Sequence, residues 1–469
     1  MTHLKCLNGT RITLGTLKSK KVGINFAPVT VDHWNIEKEN FVVSLAFSCI
    51  SQLESILQIL NPFTATTNEM KNSISKDQTQ IVIFPLEIII EILSRLPVKS
   101  LLKFKCVSKS WLSLISSSHF AKSHLKISSR NNKFSHKKLL LLSMYLPHTL
   151  YSCPLYSELH EKSISCVNEL NFPWNPSNII AGVSLCNGLF LICIGMYNNN
   201  LFLWNPSTRN TKKLPSSGNE YSRCDVTYGF GYDESNDDYK VVEINGVYGI
   251  HYVYGANLKI YSLKSNSWRR MKKYGDALFS LDSAVFVNGS LHWAVAHNDG
   301  VSTFWDIVSL NLENEKFGNL SLPNYDPGKC NGSTSRPLGD STDFEPGILN
   351  WALGKLGDCL GLFCDYYKVK LDVWVMKEYN AKGSWTKSVS LPYTTGIGPR
   401  ISPLCVLDSN EVLLHDGSHV MVYDAKKDDY KRVEIHDMDD NGVGAATVYA
   451  ESLVSPDLDS TVNTPELIW

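Results

Sequence analysis

FPLEIIIEILSRLPVKSLLKFKCVSKSW, from Phe84 to Trp111, decides how this chain is organised. On a helix of 3.6 residues per turn, Leu86, Ile88, Ile89, Ile90, Ile92, Leu93 and Leu96 spread over an arc of roughly 200°, and Glu87, Glu91, Ser94 and Arg95 fill the rest. A helix that covers only its own small core needs a narrower stripe. A unit of about 45 residues buries too little surface for two cores, so part of this arc is expected to face another protein. Periodicity alone leaves a buried helix of a larger domain equally open. Pro97 ends the helix, and VKSLLKFKCV and SKSWLSLI read as two further short helices, with Ser108 as N-cap of the last.

The punctuation of the stretch narrows the choice. Pro85 opens it, Ile89, Ile92 and Leu93 lie in its first helix, Leu96-Pro97 makes a Leu-Pro step, and Val107, Lys109 and Trp111 form a V-x-K-x-W ending. With this spacing it resembles an F-box, Phe84-Pro85 standing where the opening Leu-Pro is usual. The resemblance implies docking onto a Skp-type adaptor of a cullin-RING ubiquitin ligase. It places Pro85, Leu86, Ile89, Ile92, Leu93, Leu96 and Pro97 at the adaptor, with Leu101, Val107 and Trp111 fixing the remaining surface or the domain's own core.

At 469 residues the chain is too long for one ordinary core. Its net charge of −1 hides an asymmetry: Ile81 to Lys126 carries seven bases against Glu87 and Glu91, whereas 14 acids face four bases from Ile401 onward. The basic part reads as a solvated helical face, because no aromatic or Gly-rich RNA motif accompanies it, and nucleic acid is not an expected partner. The 12 cysteines are scattered through apolar runs such as SLCNGLFLICIG and read as reduced, mostly buried thiols. Cys359 and Cys364 lack a second pair at zinc spacing, and His415-Asp416 with His419 is no metalloprotease motif. No metal or other cofactor is expected. The apolar run Phe41 to Leu60 contains Gln52, Glu54 and Gln58, which argues against membrane insertion, and its Ser44 to Leu60 part has the pattern of one amphipathic helix. These features point to the cytoplasm or nucleus.

Phe120 to Arg130 reads as a helical bridge, and from about Lys138 the period changes to short β-rich runs. Runs ending at Trp204, Tyr261, Leu310, Met376 and Tyr423 are spaced by 57, 49, 66 and 47 positions. An aromatic returns seven residues after the end in Tyr261 to Trp268, Leu310 to Phe317 and Tyr423 to Tyr430, as a hairpin requires; Thr211 stands there in the first repeat. Asn187-Gly188, Gly229 with Gly231, Asn288-Gly289, Gly357 and a turn near Asn410 mark a companion hairpin in each repeat. Two hairpins make a four-stranded sheet, and repetition of such sheets points to a β-propeller, a pair of stacked sheets remaining open. With LLLLSMYLPHTLYSCPLYS as an imperfect first repeat, about six blades follow, closed by a strand near AATVYAESLVSP.

LWNPSTR, YGFGYDESNDDYKVV, IYSLKSNSWR, FVNGSLHW, SLNLENEKF, LDVWVMKEY and VLLHDGSHVMVYD resemble the F-box-associated interaction domain of plant F-box proteins, a type related to kelch propellers and to S-locus F-box proteins. The expected fold is an α+β multidomain chain: a small three-helix F-box, then an all-β, kelch-related propeller. Its expected parts are a poorly ordered N-terminal extension and linker (1–80), F-box (81–127), linker (128–137), propeller (138–456) and C-terminal tail (457–469).

The sequence lacks a GxSxG elbow, a P-loop and a kinase set, and YGFGYD is explained by a β-turn. Three connections are long: Leu214 to Val226, Ile244 to Leu258 and Pro323 to Leu349. The second carries Tyr248, His251, Tyr252 and Tyr254, the foremost substrate-contact candidates, since tyrosine gives large contact area at low entropy cost. The reading is a non-catalytic substrate receptor whose F-box binds the adaptor, and through it cullin and RING subunits, while the propeller captures a target protein for ubiquitination and proteasomal degradation. A non-degradative adaptor-binding scaffold and a kelch-type propeller enzyme are the alternatives.

Overall fold

The structure is a computed structural model that describes residues 12–13, 30–31, 86–130, 137–146, 148–155, 163–164, 168–170, 172, 180–195, 200–218, 225–249, 252–275, 278–280, 282–298, 303–323, 351–366, 369–381, 383–393, 401–407, 411–436 and 442–457. Phe84, Pro85, His251, the turn near Asn410, most of Pro323 to Leu349 and the helix expected over Ser44 to Leu60 lie outside the described residues.

Helices α1 (Leu86–Leu93), α2 (Val98–Phe104), α3 (Lys109–Ser116) and α4 (Ser118–Arg130) form the first unit. Pro97 supplies the N-cap position of α2, where its missing N–H is no loss. Ser108 caps α3 as its sequence position predicts, its Oγ accepting from Trp111 N at 3.2 Å. The core collects Leu93, Leu96, Leu101, Phe104, Ile115 and Phe120 from all four helices, with Trp111 edge-on to Phe104 at 5.6 Å. Buried His124 of α4 donates from Nε2 to the Leu96 carbonyl at 2.8 Å, tying the fourth helix to the Leu-Pro step.

The second unit is a propeller of six blades, each with four strands in antiparallel order. Blades 2, 5 and 6 are Ile180–Cys186 to Thr211–Lys213, Trp351–Leu356 to Trp385–Pro392, and Ser402–Val406 to Asp429–Arg432, their strands paired in chain order. Blade 3 (Asp225–Asp233 to Ser267–Arg270) and blade 4 (Val285–Val287 to Phe317–Leu320) are joined through Leu278–Ser280, which pairs with both and fuses them into a nine-stranded sheet. Blade 1 departs from chain order. Its first strand, Val443–Ala450, comes from the end of the domain and pairs with Lys137–Ser143, closing the ring.

The seven-residue spacing is the cross-strand pair itself. Trp204 lies opposite Thr211, Tyr261 opposite Trp268, Leu310 opposite Phe317 and Tyr423 opposite Tyr430. Each turn includes one residue at positive φ: Arg209, Asn266, Glu315 or Asp428. The Asn187-Gly188 turn needs two such residues, at φ 54° and 75°, the geometry that matches the twist of the strands it joins.

Two expectations are corrected. Gly229 and Gly231 form no turn; they lie inside strand Asp225–Asp233, where blade 4 approaches closely. A Cβ on Gly229 would sit 2.7 Å from Trp293 Cζ2, and one on Gly231 2.5 Å from Phe286 Cδ2. Ile244 to Leu258 is no loop either. Strand Asp238–Gly249 pairs with Tyr252–Ser262 out to Gly249 opposite Tyr252, so β-branched and aromatic residues extend the hairpin and leave only residues 250–251 to connect it. Trp204, Tyr261 and Trp293 are fully buried, so these aromatics do pack blades.

Candidate adaptor-docking and target-binding surfaces

Burial divides the helical arc of α1 and its sequel. Leu93, Leu96 and Leu101 are 1%, 3% and 0% exposed and belong to the helical unit's own core. Ile89, Val107 and Trp111 are partly buried against that core, and Pro97 is half-buried. Ile92 is 43% exposed on α1, and Leu112 of α3, which sequence reasoning passed over, is 38% exposed. Leu86 is the first residue of α1, and Glu91 is paired with Arg95 one turn along.

Strand direction sorts the propeller's connections onto two faces. Because the strands of a blade alternate in direction, turns between first and second and between third and fourth strands share one face. Second-to-third turns and the links between blades share the other. The helical unit meets the first face: Lys122 of α4 forms an ion pair with Asp237 in the first turn of blade 3, and Leu125 packs against the core shared by blades 2 and 3. Burial pushes the Asp237 carboxyl up, but hydrogen bonds from Lys122 and Tyr232 outweigh it and hold it below the ordinary range.

The opposite face carries the strand ends that lead into two long links and the tip of one long hairpin. Leu214 to Val226 links blade 2 to blade 3, the tip of the Tyr248 and Tyr252 hairpin joins second and third strands, and the segment after Leu320 re-enters at Trp351. Tyr248 pairs with Val253, and Tyr254 with Val247, so these candidates stand on a paired ladder; Leu278–Ser280 adds to it at Tyr252 and Val253. The same face carries Tyr145 and Leu146, 61% and 56% exposed in the second turn of blade 1, and Val369, 69% exposed in that of blade 5.

Family models match both units: an F-box domain over residues 81–123 and an F-box associated beta propeller domain over residues 139–456. The chain belongs to the plant F-box proteins that carry an F-box-associated β-propeller. It is similar to the F-box/kelch-repeat protein At3g23880 of Arabidopsis thaliana, 34% identical over 79% of this chain and 95% of that one. It is also similar to the F-box protein CPR1 of the same plant, 30% identical over 72% of this chain and 81% of that one.

The chemistry-bearing residues of this F-box protein have structural explanations. Asp416 caps its own turn, its Oδ1 accepting from Ser418 N at 2.9 Å and His419 N at 2.7 Å. His415 donates from Nε2 to the Val443 carbonyl at 2.8 Å, binding blade 6 to blade 1. Buried Lys240 lies 2.8 Å from Asp233 and 3.2 Å from Glu315, clasping blade 3 to blade 4. Cys186, Cys193 and Cys405 are buried thiols pushed up to about 12 by desolvation, which makes them poor nucleophiles. Among the described residues no group of three or more His, Cys, Asp or Glu side chains is placed to hold a metal, and no helix is long and apolar enough to cross a membrane. The sequence clue to the missed residues is modest: Tyr145-Leu146 sits before Pro147 in a turn, where exposed apolar side chains are otherwise unexplained.

Proposed function

We propose that this F-box protein is the substrate receptor of a Skp-cullin-F-box ubiquitin ligase. The observation that supports the reading is that exposed apolar side chains occur both on the helical unit and on the propeller face turned away from it. Ile92 and Leu112 lie on the F-box, which packs against one propeller face; Tyr145, Leu146 and Val369 lie on the other. The F-box binds a Skp-type adaptor, and through it cullin and RING subunits. The far face, with Tyr248, Tyr252, Tyr254 and His251 at its long hairpin, holds a target protein. The chain's own role is proximity: a target lysine held near a ubiquitin-loaded conjugating enzyme reacts at raised effective concentration, while bonds are made on other subunits. The propeller supplies no catalytic group, and neither nucleic acid nor membrane insertion is part of the mechanism. The cytoplasm or nucleus is its place of work.

The test uses full-length Ile92→Glu and Leu112→Glu chains with purified Skp-type adaptor. Both positions are exposed, so melting should stay within about 1 °C of the parent, because surface changes alter stability little. Adaptor affinity should fall at least about tenfold, as expected for a charge placed in an apolar contact. Unchanged affinity in a chain carrying both Ile92→Glu and Leu112→Glu, or no adaptor binding by the parent chain, sinks the receptor reading.

A further inference from the structure

We infer that residues 451–457, directly after the ring-closing strand, couple closure of the propeller to completion of the F-box core. The inference rests on the reading of α1–α3 as the adaptor-docking unit. Leu453 is 6% exposed and belongs to the same cluster as Leu93, Leu101, Phe104 and Ile115, residues more than 300 positions earlier in the chain. Its two neighbours turn the other way. Ser452 is fully buried against blade 2, and Val454 joins the cluster shared by blades 2 and 3, against which Leu125 of α4 also packs. Alternation of side-chain direction along an extended segment thus gives one residue to the F-box and its neighbours to the ring.

The segment is pinned on the ring side. Asn205 donates from Nδ2 to the carbonyls of Ser452 and Val454, at 3.0 and 2.7 Å. Glu451 pairs with Lys138 at 2.6 Å, and the backbone runs so near Gly188 that a Cβ there would lie 2.8 Å from the Ala450 carbonyl oxygen. The segment is thus held by blade 2 through Asn205 and by blade 1 through Lys138, directly after strand Val443–Ala450 pairs with Lys137–Ser143. Ring closure and these blade 2 anchors together set where Leu453 meets the helices. A unit of about 45 residues is marginal on its own, so removal of one fully packed leucine opens it locally, and an open F-box lowers apparent adaptor affinity in proportion to the fraction folded.

Hydrogen exchange on the full-length chain, without adaptor, tests this directly in Leu453→Ala and the milder Leu453→Val. The expected result is graded: amides of α1–α3 exchange at least about tenfold faster with Ala and a few-fold faster with Val, while blades 3 to 5 stay within about twofold of the parent. Unchanged exchange in α1–α3 overturns the inference. So does acceleration of blades 3 to 5 in step with the helices, which would make Leu453 a general core residue. In a second arm, affinity for purified Skp-type adaptor should fall in the same order. A parent chain that binds no adaptor would remove the receptor reading and leave the exchange result standing as a test of the coupling.

Discussion

Replacing Asn205 with Ala isolates the anchor between the C-terminal segment and blade 2. The side chain is fully buried and uses both ends of its amide: Nδ2 donates to the Ser452 and Val454 carbonyls, and Oδ1 accepts from Ser207 N at 2.8 Å and Thr208 N at 3.3 Å. The two N–H groups belong to a half-buried turn that water can reach, so their loss is partly made good. The two carbonyls belong to buried residues and lose their side-chain donor. At about 1–3 kcal/mol for each buried group left unsatisfied, and with some relaxation of the segment, Asn205→Ala should destabilise the propeller by about 2–4 kcal/mol. For a domain of this size that lowers melting by roughly 4–8 °C. Asn205→Asp sharpens the test, because it keeps the shape and the Oδ1 acceptor but sets a carboxylate oxygen against two carbonyls. At neutral pH it should be at least as unstable as the Ala variant, and urea denaturation at fixed pH measures both. An Asn205→Ala chain within about 0.5 kcal/mol of the parent, or an Asp variant as stable as Asn, would refute this account.

Leu96→Ala should cost about 2–5 kcal/mol in the F-box because it empties a packed site, whereas Ile92→Ala should stay within about 0.5 kcal/mol; calorimetry separates the two, and equal effects would contradict the burial pattern. Gly231→Ala must displace Phe286 or Leu312 of blade 4 and should destabilise by about 1–3 kcal/mol despite the gain in backbone rigidity; a neutral or stabilising change in urea midpoint would show that the blades can spread. Burial pushes His292 down to about 4 against the hydrogen bond it donates to Val285, while its other nitrogen lies 2.9 Å from the Tyr379 hydroxyl. Its folded value is depressed, so its contribution is full above the unfolded value of about 6.5 and is lost as pH falls towards 4. Between pH 7 and 4.5 that amounts to roughly 2.5 kcal/mol. Urea curves at the two pH values should show a smaller difference for His292→Gln, and parallel behaviour of the two chains would exclude this group as the source.

Much of the fold is legible because the propeller repeats a local rule. A four-residue turn with one positive-φ position sets partners seven residues apart, so Tyr261 and Trp268 announce their pairing in the chain itself. Gly229 and Gly231 are less legible, since a glycine that makes a turn and one that admits a neighbouring blade look alike without the neighbour in view. In sequence the hairpin around Tyr248 resembles a loop because it outruns ordinary strand length, although its Val and Tyr content favours pairing. On α1 the helical period identifies an apolar arc but not its division, and only packing shows that Leu93 turns in while Ile92 remains out. Leu453 carries no periodic pattern. Its partners lie at the other end of the chain, beyond the reach of any local rule.

Ring closure by Val443–Ala450 also sets a timetable for synthesis. The strand it must pair with, Lys137–Ser143, is made about 300 residues earlier, an interval of roughly 15–60 s at ordinary elongation rates. Throughout it, KKLLLLS presents an unpaired edge with four consecutive leucines, a template on which another nascent chain could align. Lys137 and Lys138 stand at the start of that edge, where charge opposes such pairing. Translation speed and chaperone supply therefore bear on the yield of this protein through one strand more than through the other five blades.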